Sequence, residues 1–395
     1  MNEATADFIR AHADDDVRRV ALKGTKDPDV DLTFALDQIA GRQTARRKLP
    51  SWAATDGIVY PPHLSMEQCS SEQTARYKAR LAGSGHRMVD LTGGFGVDFS
   101  FMAVAFDEAV YVEQQTVLCD IARQNFHLLG LQAEVLCGDA VDYLRHMPHA
   151  DLIYIDPARR DCQGQRTYGI SDCTPDVVAL QDVLVEKADR IIIKLSPMLD
   201  WRKAVQDLTL SLCVSEVHIV SVGNECKELL LVLSARSSDD TEPLLFCVND
   251  DTVFTSQLFA SKASRLERSP LTSQFLYEPN ASIMKAGCFE VVADAFGLSQ
   301  VAPNSHLFTS DSPVDNFPGR TFEVERVTTM NKRDLREALS GLTQANIAVR
   351  NFPLSVAQLR QRLKLREGGS TYIFATTLAD KSHVLLICRK MTSVD

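Results

Sequence analysis

A handful of short stretches carry residues whose types and spacing can do chemistry. Met88–Gly96 is an apolar run that ends on Asp90 and then turns through Thr92, Gly94 and Gly96. Gly94 and Gly96 let the backbone turn sharply and come close to a ligand, which a Cβ would block. The helix expected next, over 97–106, points its free N–H groups back at that turn. Glu113 ends the following expected strand, 109–113, where an acid can accept hydrogen bonds from ribose hydroxyls. Asp139 follows Gly138 after a third strand, 133–137, and can supply a carboxylate to an adenine amino group. Asp151–Arg160 is another apolar strand that stops on Asp156-Pro157. Arg159 and Arg160 come straight after; they can stack on a base, grip phosphate in a bidentate way, or pair with Asp161. Lys194 and Ser196 close a fifth strand, where they can line the same pocket or simply pack a strand end. All these residues fall at the carboxyl ends of expected parallel strands, where open α/β sheets bind ligands.

A strand, glycine turn and helix in succession has two common uses. One holds a dinucleotide; the other holds S-adenosylmethionine (SAM). Phe99 stands where the third glycine of Gly-x-Gly-x-x-Gly belongs, which weakens the dinucleotide reading. Asp90 suits an ammonium group, such as that on the amino acid end of SAM. In this order and at βα spacing, the features resemble class I SAM-dependent methyltransferases. The resemblance implies SAM as cofactor, with Asp90, Thr92, Gly94, Gly96, Glu113 and Asp139 around it. It also implies a helix just before the first strand that covers the cofactor, with Glu72 and Thr74 as candidate contacts; plain helix capping explains either residue equally well. Asp156 and Pro157 become the catalytic pair. In members that methylate exocyclic amines of bases, the fourth strand ends Asp/Asn/Ser-Pro-Pro-aromatic, and the carboxylate or amide and the next carbonyl accept from the amino group. Asp156-Pro157-Ala158-Arg159 keeps the first two positions and departs at the last two, which leaves the target base and atom open. In this frame Arg159, Arg160, Lys194 and Ser196 are the substrate-side candidates. Cys162 does not match the Pro-Cys arrangement of pyrimidine C5 chemistry.

These residues need a frame that alternates strands and helices, and 86–236 supplies it. Strands are expected at 88–91, 109–113, 133–137, 151–155, 190–195, 213–222 and 228–233, with helices over 116–129 and 175–187. The link Gly223-Asn224-Glu225-Cys226 is too short for a crossover helix, so the last two strands form an antiparallel hairpin. The fold class is α/β, a seven-stranded Rossmann-like methyltransferase sheet. Residues 1–85 form an N-terminal helical region, and Ser70 with Gln73 matches a capping box for a helix that runs to about residue 81. Residues 237–320 read as a small α+β region, ferredoxin-like, with a strand at 244–249 and a helix over 256–267. Residues 321–395 show the order β-α-β-α-β-β. With Asn346–Pro353 and Lys364–Gly369, that module resembles the THUMP-like domains joined to some RNA methyltransferases. The whole chain resembles a group of bacterial methyltransferases that carry such a C-terminal domain, and RNA, ribosomal or transfer, is the partner it implies.

Composition narrows the classes further. The 395 residues are 45% apolar and 24% charged, a globular balance long enough for several domains. No run of about 18 apolar residues predicts a membrane span, and no leader pattern opens the chain. The ten cysteines include no Cys-x-x-Cys pair, so no zinc ribbon is expected and reduced cytoplasmic thiols are the simplest reading. His146 and His149 read better as loop residues than as a metal pair, and no metal is expected. Net charge is −10, yet residues 320–395 hold 13 Lys/Arg against 7 Asp/Glu. A basic module on an acidic body fits a piece that touches phosphate; a solvated helical face is the plain alternative. Two other functions stay open: methyl transfer to a protein or small molecule, and a noncatalytic SAM- or RNA-binding adaptor.

Overall fold

The computed structural model describes residues 2–159, 169–208, 211–236, 242–258, 271 and 273–391. Helices come first: α1 (Glu3–Ala11), α2 (Val17–Lys23), α3 (Leu32–Lys48), α4 (Pro50–Ala53), α5 (His63–Gln68) and α6 (Glu72–Ala82). Asn2, Asp16, Asp31 and Ser71 open α1, α2, α3 and α6 by accepting a backbone N–H that would otherwise lack a partner. The cap of α6 is thus Ser71, one residue later than the expected Ser70, whose hydroxyl is engaged elsewhere. Leu49, Trp52, Tyr60 and Met66 pack with Ala75, Phe95 and Val97 in one buried cluster. The helical region therefore sits against the glycine turn.

Then follow β1 (Gly85–Asp90), α7 (Val97–Met102), β2 (Phe106–Glu113), α8 (Thr116–Leu128), β3 (Glu134–Cys137), α9 (Ala140–His146) and β4 (Ala150–Ile155). A two-residue antiparallel pair, β5 (Ala158–Arg159) and β6 (Cys173–Thr174), stands apart from the main sheet. Next come α10 (Gln181–Lys187), β7 (Ala188–Leu195), α11 (Trp201–Asp207), β8 (Leu212–Val222) and β9 (Glu225–Ala235). Helix α10 begins six residues later than the expected 175. Seven strands of a nine-stranded sheet order as β8-β9-β7-β4-β1-β2-β3. Neighbours from β7 to β3 pair parallel, while β9 runs antiparallel to β7. Ile153, Ile155, Ile191, Ile192 and Ile193 are buried, as expected of strands covered on both faces. Because β2 lies on one side of β1 and β4 on the other, chain order reverses at β1, the switch point where such sheets open a crevice.

The chain divides into two compact units, residues 1–217 with 228–241, and residues 218–227 with 242–395. The second holds a hairpin of β10 (Leu244–Asn249) and β11 (Thr252–Gln257). The helix expected over 256–267 therefore fails at its start: Asp250 takes a positive φ and Thr252, Val253 and Thr255 extend as a strand. Residues 259–267 lie outside the described residues. Further on are β12 (Phe275–Pro279), α12 (Ala281–Ala286), α13 (Phe289–Phe296), β13 (Ser299–Gln300), β14 (Phe308–Ser310), β15 (Gly319–Thr329), α14 (Lys332–Ala338), β16 (Asn346–Arg350), α15 (Val356–Leu363), β17 (Thr371–Thr377) and β18 (His383–Lys390). They build one seven-stranded sheet, β13-β14-β12-β15-β18-β17-β16. Among the described residues no helix is long and apolar enough to cross a membrane.

Candidate active site

The cradle is made at three strand ends. β1 delivers Asp90, buried, with Oδ1 accepting from the N–H of Thr92 at 2.9 Å. The chain then turns on Gly94 (φ +58°) and Gly96 (φ +82°), conformations that glycine adopts without strain. A Cβ on Gly93 would lie 2.2 Å from the Tyr111 ring, so aromatic packing presses directly on the turn. β2 delivers Glu113, whose Oε2 accepts from Gly94 N–H at 2.9 Å and whose Oε1 accepts from Gln115 N–H at 2.8 Å. A carboxylate has about four acceptor sites, so hydroxyls of a ligand can still be received. β3 leads to Asp139, which caps α9 by accepting from Val141 and Asp142 N–H, both at 2.9 Å. The cavity among Asp90, Gly94, Glu113, Asp139, Asp156 and Lys194 measures about 310 Å³.

Its electrostatics are uneven. Burial pushes the Asp90 carboxyl up to about 8, and nearby Asp98 and Asp156 push the same way. A ligand ammonium would relieve that repulsion. At the other end, Lys194 Nζ donates to Asp156 Oδ2 at 2.5 Å and lies 3.5 Å from Asp98 Oδ2. Asp98 also accepts from Ser70 Oγ at 2.9 Å and Tyr154 OH at 2.8 Å, and faces Lys78 Nζ at 3.2 Å. Lys78, with no exposed side chain, donates to both oxygens of Glu228 at 2.6 Å. Burial alone would raise the Asp98 carboxyl; Lys78 and Lys194 outweigh it and hold Asp98 down to about 2. A line of alternating charges thus runs from Glu228 through Lys78, Asp98 and Lys194 to Asp156, and its far end opens into the cavity.

Two family models match the second unit: a ferredoxin-like domain over residues 275–318 and a THUMP domain-like model over 319–390. A Porphyromonas gingivalis W83 protein described as a candidate methyltransferase superposes on 98% of this chain and 98% of its own length, with TM-score 0.86 and 34% identity. The chain belongs to that methyltransferase family. A candidate class I SAM-dependent methyltransferase of Listeria monocytogenes covers 64% of this chain and 94% of its own at 11% identity and TM-score 0.40. The Thermus thermophilus 16S rRNA N2 G1207 methyltransferase covers 46% of this chain and 45% of its own at 15% identity and TM-score 0.32. Likenesses that low carry no functional argument. No curated protein matches the chain.

Of the residues singled out from sequence, Asp90, Thr92, Gly94, Gly96, Glu113, Asp139, Asp156 and Lys194 come together on this family member's cavity. Others do not. Glu72 accepts from Ser51 N–H and Oγ and pairs with Arg76, while Thr74 is buried against Ser71; neither lines the cavity. Helix α5 and the turn after it are what reach it, through Ser65, Gln68, Cys69 and Ser70. Ser196 instead accepts from Met198 N–H at the head of a turn. Pro157 is buried beside the cavity, which Ala158 lines. The backbone of Arg159 pairs with Cys173; Arg160 and Cys162 lie outside the described residues. Among the described residues no group of three metal-ligating side chains occurs. Sequence reasoning missed Asp98, Tyr154, Lys78 and Glu228. The available signal was charge in apolar company: Glu228 directly precedes Leu229–Leu233.

Proposed function

We propose that this protein is a SAM-dependent methyltransferase acting on RNA. The observation that carries the reading is one cavity lined by a carboxylate of raised pKa, Asp90, beside a glycine turn, and by a second carboxylate, Asp156, at the end of the neighbouring strand. The residues suit SAM part by part. Asp90 meets an ammonium, Glu113 meets ribose hydroxyls, and Asp139, whose Oδ1 is committed to α9, offers Oδ2 to an amino group. SAM supplies an electrophilic methyl group. The chain needs only to bind the acceptor, orient it and take its proton. Asp156 suits the last two tasks: Lys194 holds Oδ2, and Oδ1 has no partner among the described residues. RNA as substrate is supported by the match to a THUMP domain-like model and by the basic balance of residues 320–395. The test begins with calorimetry of SAM and S-adenosylhomocysteine binding to the wild type and Asp90→Ala. Micromolar binding that the substitution removes is expected. Asp156→Ala should bind SAM almost normally and turn nothing over; an equal loss of affinity would move Asp156 into the cofactor site and sink the assignment of roles.

A further inference from the structure

We propose that the methyl acceptor is a hydroxyl oxygen, the 2′-hydroxyl of an RNA ribose, gripped between Asp156 and Lys194. The proposal rests on the RNA methyltransferase reading above and names the atom. The Asp156-Pro157 turn alone suggests an exocyclic base amine. Lys194 argues otherwise.

Valence separates the two kinds of acceptor. An exocyclic amine carries two N–H donors, and its lone pair must be left for the methyl group. Its site needs acceptors and has no place for a cationic donor. An ammonium there would also oppose the positive charge that builds on nitrogen as the bond forms. A hydroxyl carries one donor and two lone pairs. It needs one acceptor and one donor, and the second lone pair then faces the methyl. Asp156 and Lys194 offer that set side by side on the cavity wall, 2.5 Å apart. Oδ1 of Asp156 can take the O–H. Of the three N–H bonds on Lys194, one goes to Asp156 and a second faces Asp98, so the third is available to the acceptor oxygen.

The buried groups behind them fix this choice. Lys194 is held as an ammonium: burial opposes its charge, but Asp156, Asp98 and Glu228 outweigh burial and raise its pKa. A permanent ammonium is a donor and never a base, so the acceptor's proton falls to the carboxylate. As the O–C bond forms, the S–C bond breaks and sulfur keeps its electron pair; the hydroxyl proton passes to Asp156 Oδ1 and on to water. A methylated oxonium is far more acidic than a carboxylic acid, so no stronger base is required. Lys78 and Glu228 do not reach the cavity lining. They are positioning residues that hold Asp98, and Asp98 holds Lys194.

The experiment uses the full chain, SAM labelled in the methyl group, and total RNA from cells lacking the gene. Methylation of the 2′-hydroxyl blocks alkaline cleavage of the neighbouring phosphodiester, so label should appear in alkali-resistant dinucleotides. Label released as base-modified mononucleotides would overturn the hydroxyl assignment and leave the RNA reading standing. No label in RNA would remove the RNA reading itself, and this proposal with it. Lys194→Met should lose roughly 10²–10³-fold in turnover, with S-adenosylhomocysteine affinity by calorimetry within about threefold of wild type. That affinity reports a folded site. Lys194→Arg, which keeps a cationic donor, should recover part of the loss. Undiminished turnover in Lys194→Met would overturn the proposal.

Discussion

Thr92 Oγ1 accepts a hydrogen bond from the backbone N–H of Asp156 at 2.6 Å. Its own N–H donates to Asp90. One threonine therefore ties the turn after β1 to the turn after β4, which in the proposed function sets the cofactor end against the acceptor end. Thr92→Val keeps the shape and leaves the Asp156 N–H without its acceptor, a cost of about 1–3 kcal/mol. Turnover should fall more than SAM affinity, and Thr92→Ser should restore both. Steady-state kinetics beside calorimetry decides it; an affinity loss as large as the rate loss would show that Thr92 serves the cofactor alone.

On the proposed reading, Asp90 should make SAM binding depend on pH. Its carboxyl, at about 8 in the free protein, is mostly protonated at neutral pH. An ammonium beside it favours the charged form, so binding should release a proton near pH 7, and affinity should climb as pH rises towards 8. For stability the sign is opposite: an acid with a raised folded pKa loses stabilisation as pH rises from its unfolded value, about 3.9, to about 8. Titrations at pH 7 in buffers of unlike ionisation enthalpy read the proton directly. Identical apparent enthalpies would count against the mechanism.

Crowding behind the turn gives a steric prediction. Ala at Gly93 would drive a methyl into Tyr111, and Ala at Gly96 would combine a φ of +82° with a Cβ 2.7 Å from Phe126. Each should cost about 2–4 kcal/mol. Gly138, in the same cavity, has nothing within 4 Å of an added Cβ, and Gly138→Ala should stay within about 0.5 kcal/mol. Chemical denaturation of the three variants checks the contrast.

Lys78 is the buried hinge of the charge line. Lys78→Met would strand Glu228 and half of the Asp98 charge, and removing one partner of a buried pair costs about 3–5 kcal/mol. Adding Glu228→Gln should return part of that loss. A single-variant loss under about 1 kcal/mol, measured by urea unfolding, would mean water reaches the pair.

Residues 321–395 invite deletion, but β15 pairs with β12 through residues 319–323, so truncation would tear a sheet. Point changes are cleaner. Arg362, Lys364 and Arg366 are exposed around the end of α15. Changing all three to Gln should flatten the plot of log affinity for single-stranded RNA against log salt by about 2, at roughly 0.7 per phosphate contact. An unchanged slope would place the RNA elsewhere.

The strand ends were legible because their chemistry is local. An acid, a glycine turn and a helix start follow one another within nine residues, 90–98, and the backbone enforces the rest. What sequence concealed was pairing at a distance. Lys78 and Glu228 stand 150 positions apart, and neither spacing nor periodicity links them. Ser70 looked like a helix cap because cap and buried hydroxyl share a residue type; the choice between Ser70 and Ser71 was made by Asp98, on another helix. Glu72 and Thr74 failed likewise. Their helix was placed correctly, but its rotation was set by burying Ala75, Lys78 and Ala82.

The two family models in the second unit meet between residues 318 and 319, yet β12 from one hydrogen-bonds along β15 from the other, and Glu278 receives both Arg320 and Arg350. The border falls inside a continuous ladder. Cutting there would bare a strand edge on each fragment, an invitation to self-association. Recombinant fragments that aim to capture the basic residues of 320–395 should therefore begin before Phe275, so that β12 and β15 stay paired.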